Sequence, residues 1–277
     1  VDKSYIHICE KSLDDCKKKI NLNTTMKRNL LEGKLKIDGY NYQLIENDVS
    51  KKAKYKSIIL NDENFNNVYF FYNDGVEYEY DKINKKFNIY QTDAAGRGYF
   101  LNGIIKEIDV DFIGKKNQYQ NNQIIKYDYN NLTGCLSFIK TRFEDTSLSS
   151  IYANCEDGIN MIDVSGFVKN INASYSVLDG IDLDFSDLMI KNIDIKNSGN
   201  DCVDFSSGNY KITNFNLLNC GDKGVSIGEK SKIIIKNIEI NKAIIGVASK
   251  DSSETFIDSA KIKDTNNCLA AYRKKQE

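Results

Sequence analysis

The chain has 277 residues, 41% hydrophobic and 28% charged, with a formal net charge of −1. That length is enough to bury a real core in one large domain or two smaller ones. The near-zero charge argues against a nucleic-acid partner held by bulk electrostatics, and no apolar run approaches the roughly 18–20 residues of a membrane span.

Proline is absent, His7 is the single histidine, and the seven cysteines contain no CxxC pair. These features argue against histidine-based nucleophiles, a zinc site and a fully paired disulfide framework. Buried free thiols are the expectation, and with them a reducing compartment. No signal peptide is visible.

In chain order, CEKSLDDCKKKI (9–20) suits a short helix with Cys9 and Cys16 on one face. VYFFYNDGVEYEY (68–80) reads as a hairpin turning at Asn73-Asp74-Gly75. Tyr40, Tyr42, Tyr69 and Tyr72 either pack in such hairpins or line a sugar platform. Residues 1–95 show no period and are expected to form an N-terminal α+β cap or small domain, followed by a repeat domain over 96–277. Glu107–Ile108 and Ser147–Leu148 fit the repeat, with 114–130 looping out between them.

From residue 155 the repeat is explicit. Asp157, Asp179, Asp201, Lys223, Ile245 and Cys268 recur at steps of 22, 22, 22, 22 and 23 residues. A second series, Asn170, Asn192, Asn214, Asn237 and Ser259, keeps the same phase, each member preceding an apolar residue. Two short β-segments per copy make each copy one turn of a solenoid, which buries its apolar face only by stacking. Equivalent residues then lie about 4.8 Å apart, and the asparagines form an internal amide ladder. The fold class is therefore all-β, a single-stranded parallel β-helix, and the chain resembles the right-handed parallel β-helix (pectin-lyase-like) superfamily.

Alternation in LDGIDLDFSD (178–187) turns Ile181 and Leu183 inward and Asp182 and Asp184 outward. Stacking then creates three columns: Asp157-Asp179-Asp201-Lys223, Asn160-Asp182-Asp204-Ser226, and Asp184-Ser206-Gly228-Lys250-Arg273. Carboxylates this close cannot all ionise at ordinary pKa, and a raised acid beside an ionised base is what glycosidic cleavage requires. Diagonal pairs such as Asp179/Asp204 suit the wider spacing of an inverting enzyme, same-column pairs the closer spacing of a retaining one.

Within the superfamily, LDG with Asp179, GNDC with Asp201, GDKGVSIG with Lys223 and ASKD with Lys250 resemble the successive motifs of polygalacturonase-type glycosidases. The resemblance covers about residues 155–275. It implies that Asp179 and Asp201 are the acid/base pair and that Lys250 binds a substrate carboxylate. Asn200 stands where the family has the first Asp of a pair, and Lys223 where it has histidine.

The candidate site is Asp179, Asp201, Asp204 and Lys223 for catalysis, with Asp182, Asp184, Lys250 and Arg273 binding substrate. The expected partner is a polysaccharide or oligosaccharide, with no cofactor and no metal. An alternative is elimination or epimerisation at a uronic acid with Lys223 or Arg273 as base, where Ca²⁺ would serve. A third reading is a non-catalytic glycan-binding or structural β-helix, whose charged columns only neutralise one another. The oligomeric state is left open.

Overall fold

The computed structural model describes residues 4–9, 16–22, 35–37, 40–42, 55–116, 126–128 and 130–274. Two compact units, Val1–Lys51 and Lys52–Glu277, are distinguished. In the first, β1 (Ser4–Cys9) pairs antiparallel with β2 (Cys16–Leu22), and β3 (Leu35–Ile37) with β4 (Tyr40–Tyr42). The helix expected over 9–20 is thereby overturned, since Cys9 pairs with Cys16 across a β-ladder. The period-two spacing of Ile6 and Ile8 is the strand signal that the heptad spacing of the cysteines obscured.

The second unit is a β-solenoid of about eight turns of roughly 22 residues, with no helix among the described residues. Its first strands are β5 (Lys56–Leu60), β6 (Phe65–Asn66), β7 (Val68–Tyr72), β8 (Val76–Asp81), β9 (Lys86–Gln91), β10 (Gly98–Leu101), β11 (Ile104–Lys106) and β12 (Asp109–Ile113). The hairpin expected over 68–80 is corrected. The two strands and the intervening turn exist, but β7 pairs antiparallel with β5 and β10, and β8 with β9. Strand β9 stacks parallel on β12. This end is packed with aromatics: the Phe70, Phe87 and Phe100 ring centroids lie 4.7–5.3 Å apart, and Phe100 stacks on Phe138 at 5.2 Å. Tyr72 packs against Phe70 and Tyr78 here, whereas the side chains of Tyr40 and Tyr42 lie outside the described residues.

The regular coils are β13 (Gly134–Ile139), β14 (Arg142–Ile151), β15 (Asp157–Ile162), β16 (Ser165–Ser174), β17 (Asp179–Ser198), β18 (Val203–Cys220), β19 (Lys223–Gly228), β20 (Lys232–Lys250) and β21 (Glu254–Tyr272). Each pairs in parallel with its equivalent one turn on. Leu136, Ile159, Ile181, Val203, Val225 and Val247 stack as one buried inner column. A Cβ on Gly180 would meet the Cys202 carbonyl at 2.6 Å, which is why this neighbouring column stays small. The second series forms the ladder: Asn192 donates to Asn170 at 2.9 Å, Asn214 to Asn192 at 2.9 Å and Asn237 to Asn214 at 3.0 Å. Upstream, Asn170 donates to Ser147 at 3.2 Å, but Ser147 pairs with Asp109, so Asp109–Val110 replaces the expected Glu107–Ile108. Most of the expected 114–130 loop lies outside the described residues.

Two further columns mark the corners. Lys140, Asp163, Phe185, Ser207, Glu229 and Asp251 all have φ of +52° to +60°, as do Tyr152, Tyr175, Asn197, Asn219, Lys242 and Asp264 at +53° to +70°. Each left-handed residue costs about 1 kcal/mol, offset by the sheet pairing on either side. Between Ser206↔Gly228 and Asn209↔Lys232 the step lengthens from 22 to 23 residues. The extra residue sits where Glu229 and Lys230 are both left-handed.

The expectation of free thiols is corrected by two disulfides, Cys135–Cys155 and Cys202–Cys220. Their separations of 20 and 18 residues are a little less than one turn, so the coil brings the Cα atoms to 5.4 and 5.2 Å. Among the described residues Cys268 is free and exposed.

Candidate functional site

The outward positions of the first sheet segment carry the acidic columns. Asp157 pairs with Asp179 and Asn160 with Asp182, Asp182 pairs with Asp204, and Asp204 with Ser226. Asp184 pairs with Ser206, and Ser206 with Gly228. The stacking frame thus gathers six aspartates on three consecutive turns.

Asp179 and Asp201 each tie their own turn to the next. The backbone N–H of Asp201 donates to Asp179 Oδ1 at 2.8 Å, and the side-chain amide of Asn200 donates to the same oxygen at 2.7 Å. Asn200 is therefore a donor to Asp179. One turn on, the Lys223 N–H donates to Asp201 Oδ1 at 2.9 Å, and the Lys223 ammonium reaches the two Asp201 oxygens at 3.3 and 3.5 Å. Lys223 also pairs with Asp222.

Burial first, then the charge of Asp201, pushes the Asp179 carboxyl up to about 7. Burial and Asp204 push Asp184 up to about 6. Asp157 and Asp182 are held well above the ordinary carboxylate range, in both cases chiefly by burial. Asp201 is also raised, since its burial outweighs the opposing pull of Lys223. Burial works against the Lys223 charge, but Asp222 and Asp201 overcome it and raise the ammonium's pKa.

The expected third column breaks at its end. Lys250 pairs with Tyr272, so Arg273 lies one residue beyond the column and is exposed. The cause is the last repeat step: Ile245 pairs with Asn267, making it 22 residues, where the alignment on Cys268 made it 23. Lys250 itself is buried at 6% exposure and donates to Ser226 Oγ at 2.6 Å.

Three contributors went unassigned in the sequence. Asp157 (2% exposed) and Asn160 (1% exposed) were visible as column members. Arg97 lies before the regular repeat; its buried guanidinium donates to the Thr133 and Gly134 carbonyls, both at 2.8 Å. Only the turn register places it beside Asp157, whose charge it feels.

Among the described residues no group of three or more His, Cys, Asp or Glu side chains is arranged to hold a metal ion, and no helix is long and apolar enough to cross a membrane. No protein-family model, curated protein or solved structure matches the chain.

Proposed function

We propose that this protein is a carbohydrate-active β-helix of the pectin-lyase-like type, and that its stacked aspartates cleave a glycosidic bond in a polysaccharide. One observation carries the reading. Neighbouring carboxyls on consecutive turns sit in environments that differ, so that Asp179 holds a proton near neutrality while Asp201 is ion-paired with Lys223. The motif resemblance over residues 155–275 supports it.

In this scheme Asp179 donates its proton to the departing glycosidic oxygen. Asp204 lies one turn on and diagonally across, and draws a proton from the attacking water. Asp201 and Lys223 position that pair and keep a fixed charge beside it. Elimination is less well supported, because the Lys223 ammonium is ion-paired and Arg273 stands outside the columns.

The test is a panel of uronic-acid, neutral and amino-sugar polysaccharides, read for new reducing ends and for absorbance of unsaturated products. Reducing ends without absorbance, lost by about a hundredfold or more in Asp179→Asn and Asp204→Asn, are expected. Reducing ends together with absorbance would indicate elimination. Absence of both signals on every polymer would refute a catalytic role on that panel.

The non-catalytic reading draws on a specific observation too. Asp179 and Asp201 each accept the next turn's backbone amide, which is a structural task sufficient to account for both. Glycan binding without product on the panel would favour it.

A further inference from the structure

We infer that the acidic face selects a cationic sugar, an amino-sugar polymer with free ammonium groups, over neutral and uronic-acid polymers; this rests on the carbohydrate reading above and names its substrate class.

The argument starts from acceptors that lack donors. Asn160 is 1% exposed and gives its side-chain N–H to Asp182 Oδ2 at 3.4 Å, which leaves its carbonyl oxygen without a partner. Asp157 Oδ2 and Asp204 Oδ1 are likewise buried and unpartnered. An Asn carbonyl can only accept, as can a carboxyl once it is ionised, and a buried acceptor left unmade costs about 1–3 kcal/mol. A ligand that satisfies these oxygens must therefore be a donor.

The nearby cations are engaged elsewhere. Lys223 pairs with Asp201 and Asp222, Lys250 donates to Ser226, and Arg97 binds main-chain carbonyls. Among the described residues, Asp157, Asp182, Asp184 and Asp204 have no ion pair. An ammonium carries three N–H donors for the unpartnered oxygens and a positive charge beside which the raised carboxyls ionise. A uronate would bring another carboxylate against this face and be repelled. An N-acetyl group offers one N–H and no charge.

The test is calorimetric titration of the whole protein, at neutral pH and low salt, with three oligosaccharides of equal length: a glucosamine oligomer, its fully N-acetylated form and an oligogalacturonate. The glucosamine oligomer is expected to bind tighter than either by about tenfold or more, the worth of a charge-assisted hydrogen bond. Asp182→Asn, matched in shape, should reduce that preference several-fold without altering the far-UV spectrum. Equal or tighter binding of the N-acetylated or uronic oligomer overturns the inference. So does a preference untouched by Asp182→Asn, or no binding of any of the three. Cleavage is scored separately: tight binding of the glucosamine oligomer without products upholds the inference and refutes the catalytic reading, and cleavage without the preference does the reverse.

Discussion

The main-chain N–H of Asp201 donates to the carboxyl of Asp179 at 2.8 Å, although the two residues are one full turn apart in sequence. The same contact recurs between Lys223 and Asp201 at 2.9 Å. One column of side chains thus serves as a fastening between turns and as the centre of the candidate chemistry.

Removing the middle of that column should therefore be costly. Asp201→Ala leaves the Lys223 ammonium with Asp222 alone and its N–H without an acceptor, and a loss of about 2–3 kcal/mol is expected in urea unfolding. Asp201→Asn keeps an acceptor for the N–H and should lose less. If Asp201→Asn retained full cleavage, Asp201 would have no place in the site.

The raised carboxyls predict an unusual response to pH. Asp179 rises from an unfolded value of about 3.9 to about 7 in the fold, so the folded state binds its proton more tightly. The associated stability is complete below about pH 4 and is lost as the pH rises towards 7; Asp184 acts in the same sense up to about 6. Asp179→Asn should flatten the decline of Tm between these limits relative to the unmodified protein. An identical slope in the two would remove the basis for a protonated Asp179.

The asparagine ladder should be weakest where it is broken in the middle. Asn192 donates one side-chain hydrogen bond and accepts another, so Asn192→Ala should cost about 2–3 kcal/mol. Asn237, more exposed, donates one such bond to Asn214, and its substitution should cost about half as much. Denaturant midpoints of the two variants make the comparison.

Thiol chemistry separates the cysteines. An alkylating reagent applied to the folded protein should label Cys268, while Cys135, Cys155, Cys202 and Cys220 react only after reduction and unfolding. Peptide mass mapping reads this directly. Loss of either disulfide should destabilise by about 2–4 kcal/mol.

Phe185 is a bulky side chain at φ +53° with 62% exposure. Phe185→Gly removes the steric cost of that corner and should raise stability by up to about 1 kcal/mol. A large loss in the melting experiment would mean that the ring makes a contact of its own.

The columns were legible in the sequence because a strict period fixes which residues meet. Asp157 to Asp179, Asp182 to Asp204 and the asparagine ladder from Asn170 to Asn214 all follow from counting 22 residues. The same rigidity made one slip expensive: aligning Cys268 in place of Asn267 moved Arg273 into a column that Tyr272 occupies. The disulfides were hidden because separations of 18 and 20 look arbitrary until compared with the length of a turn. At the N-terminal end the turn at Asn73-Asp74-Gly75 was readable, but a turn says nothing of partners, and β7 takes β5 and β10. Arg97 had no local signal at all, since its carbonyl acceptors are 36 and 37 residues away.

The paired left-handed residues Glu229 and Lys230 absorb one surplus residue without disturbing the sheets before or after them. Tolerance to insertion and deletion should therefore be concentrated at such corners. A single residue added there changes the length of one loop, whereas one added within a strand would reverse the facing of every side chain up to the next bend. Variants of this protein with altered binding properties are thus best sought by lengthening corners, where the chain can acquire new reach while its axial stacking stays in phase.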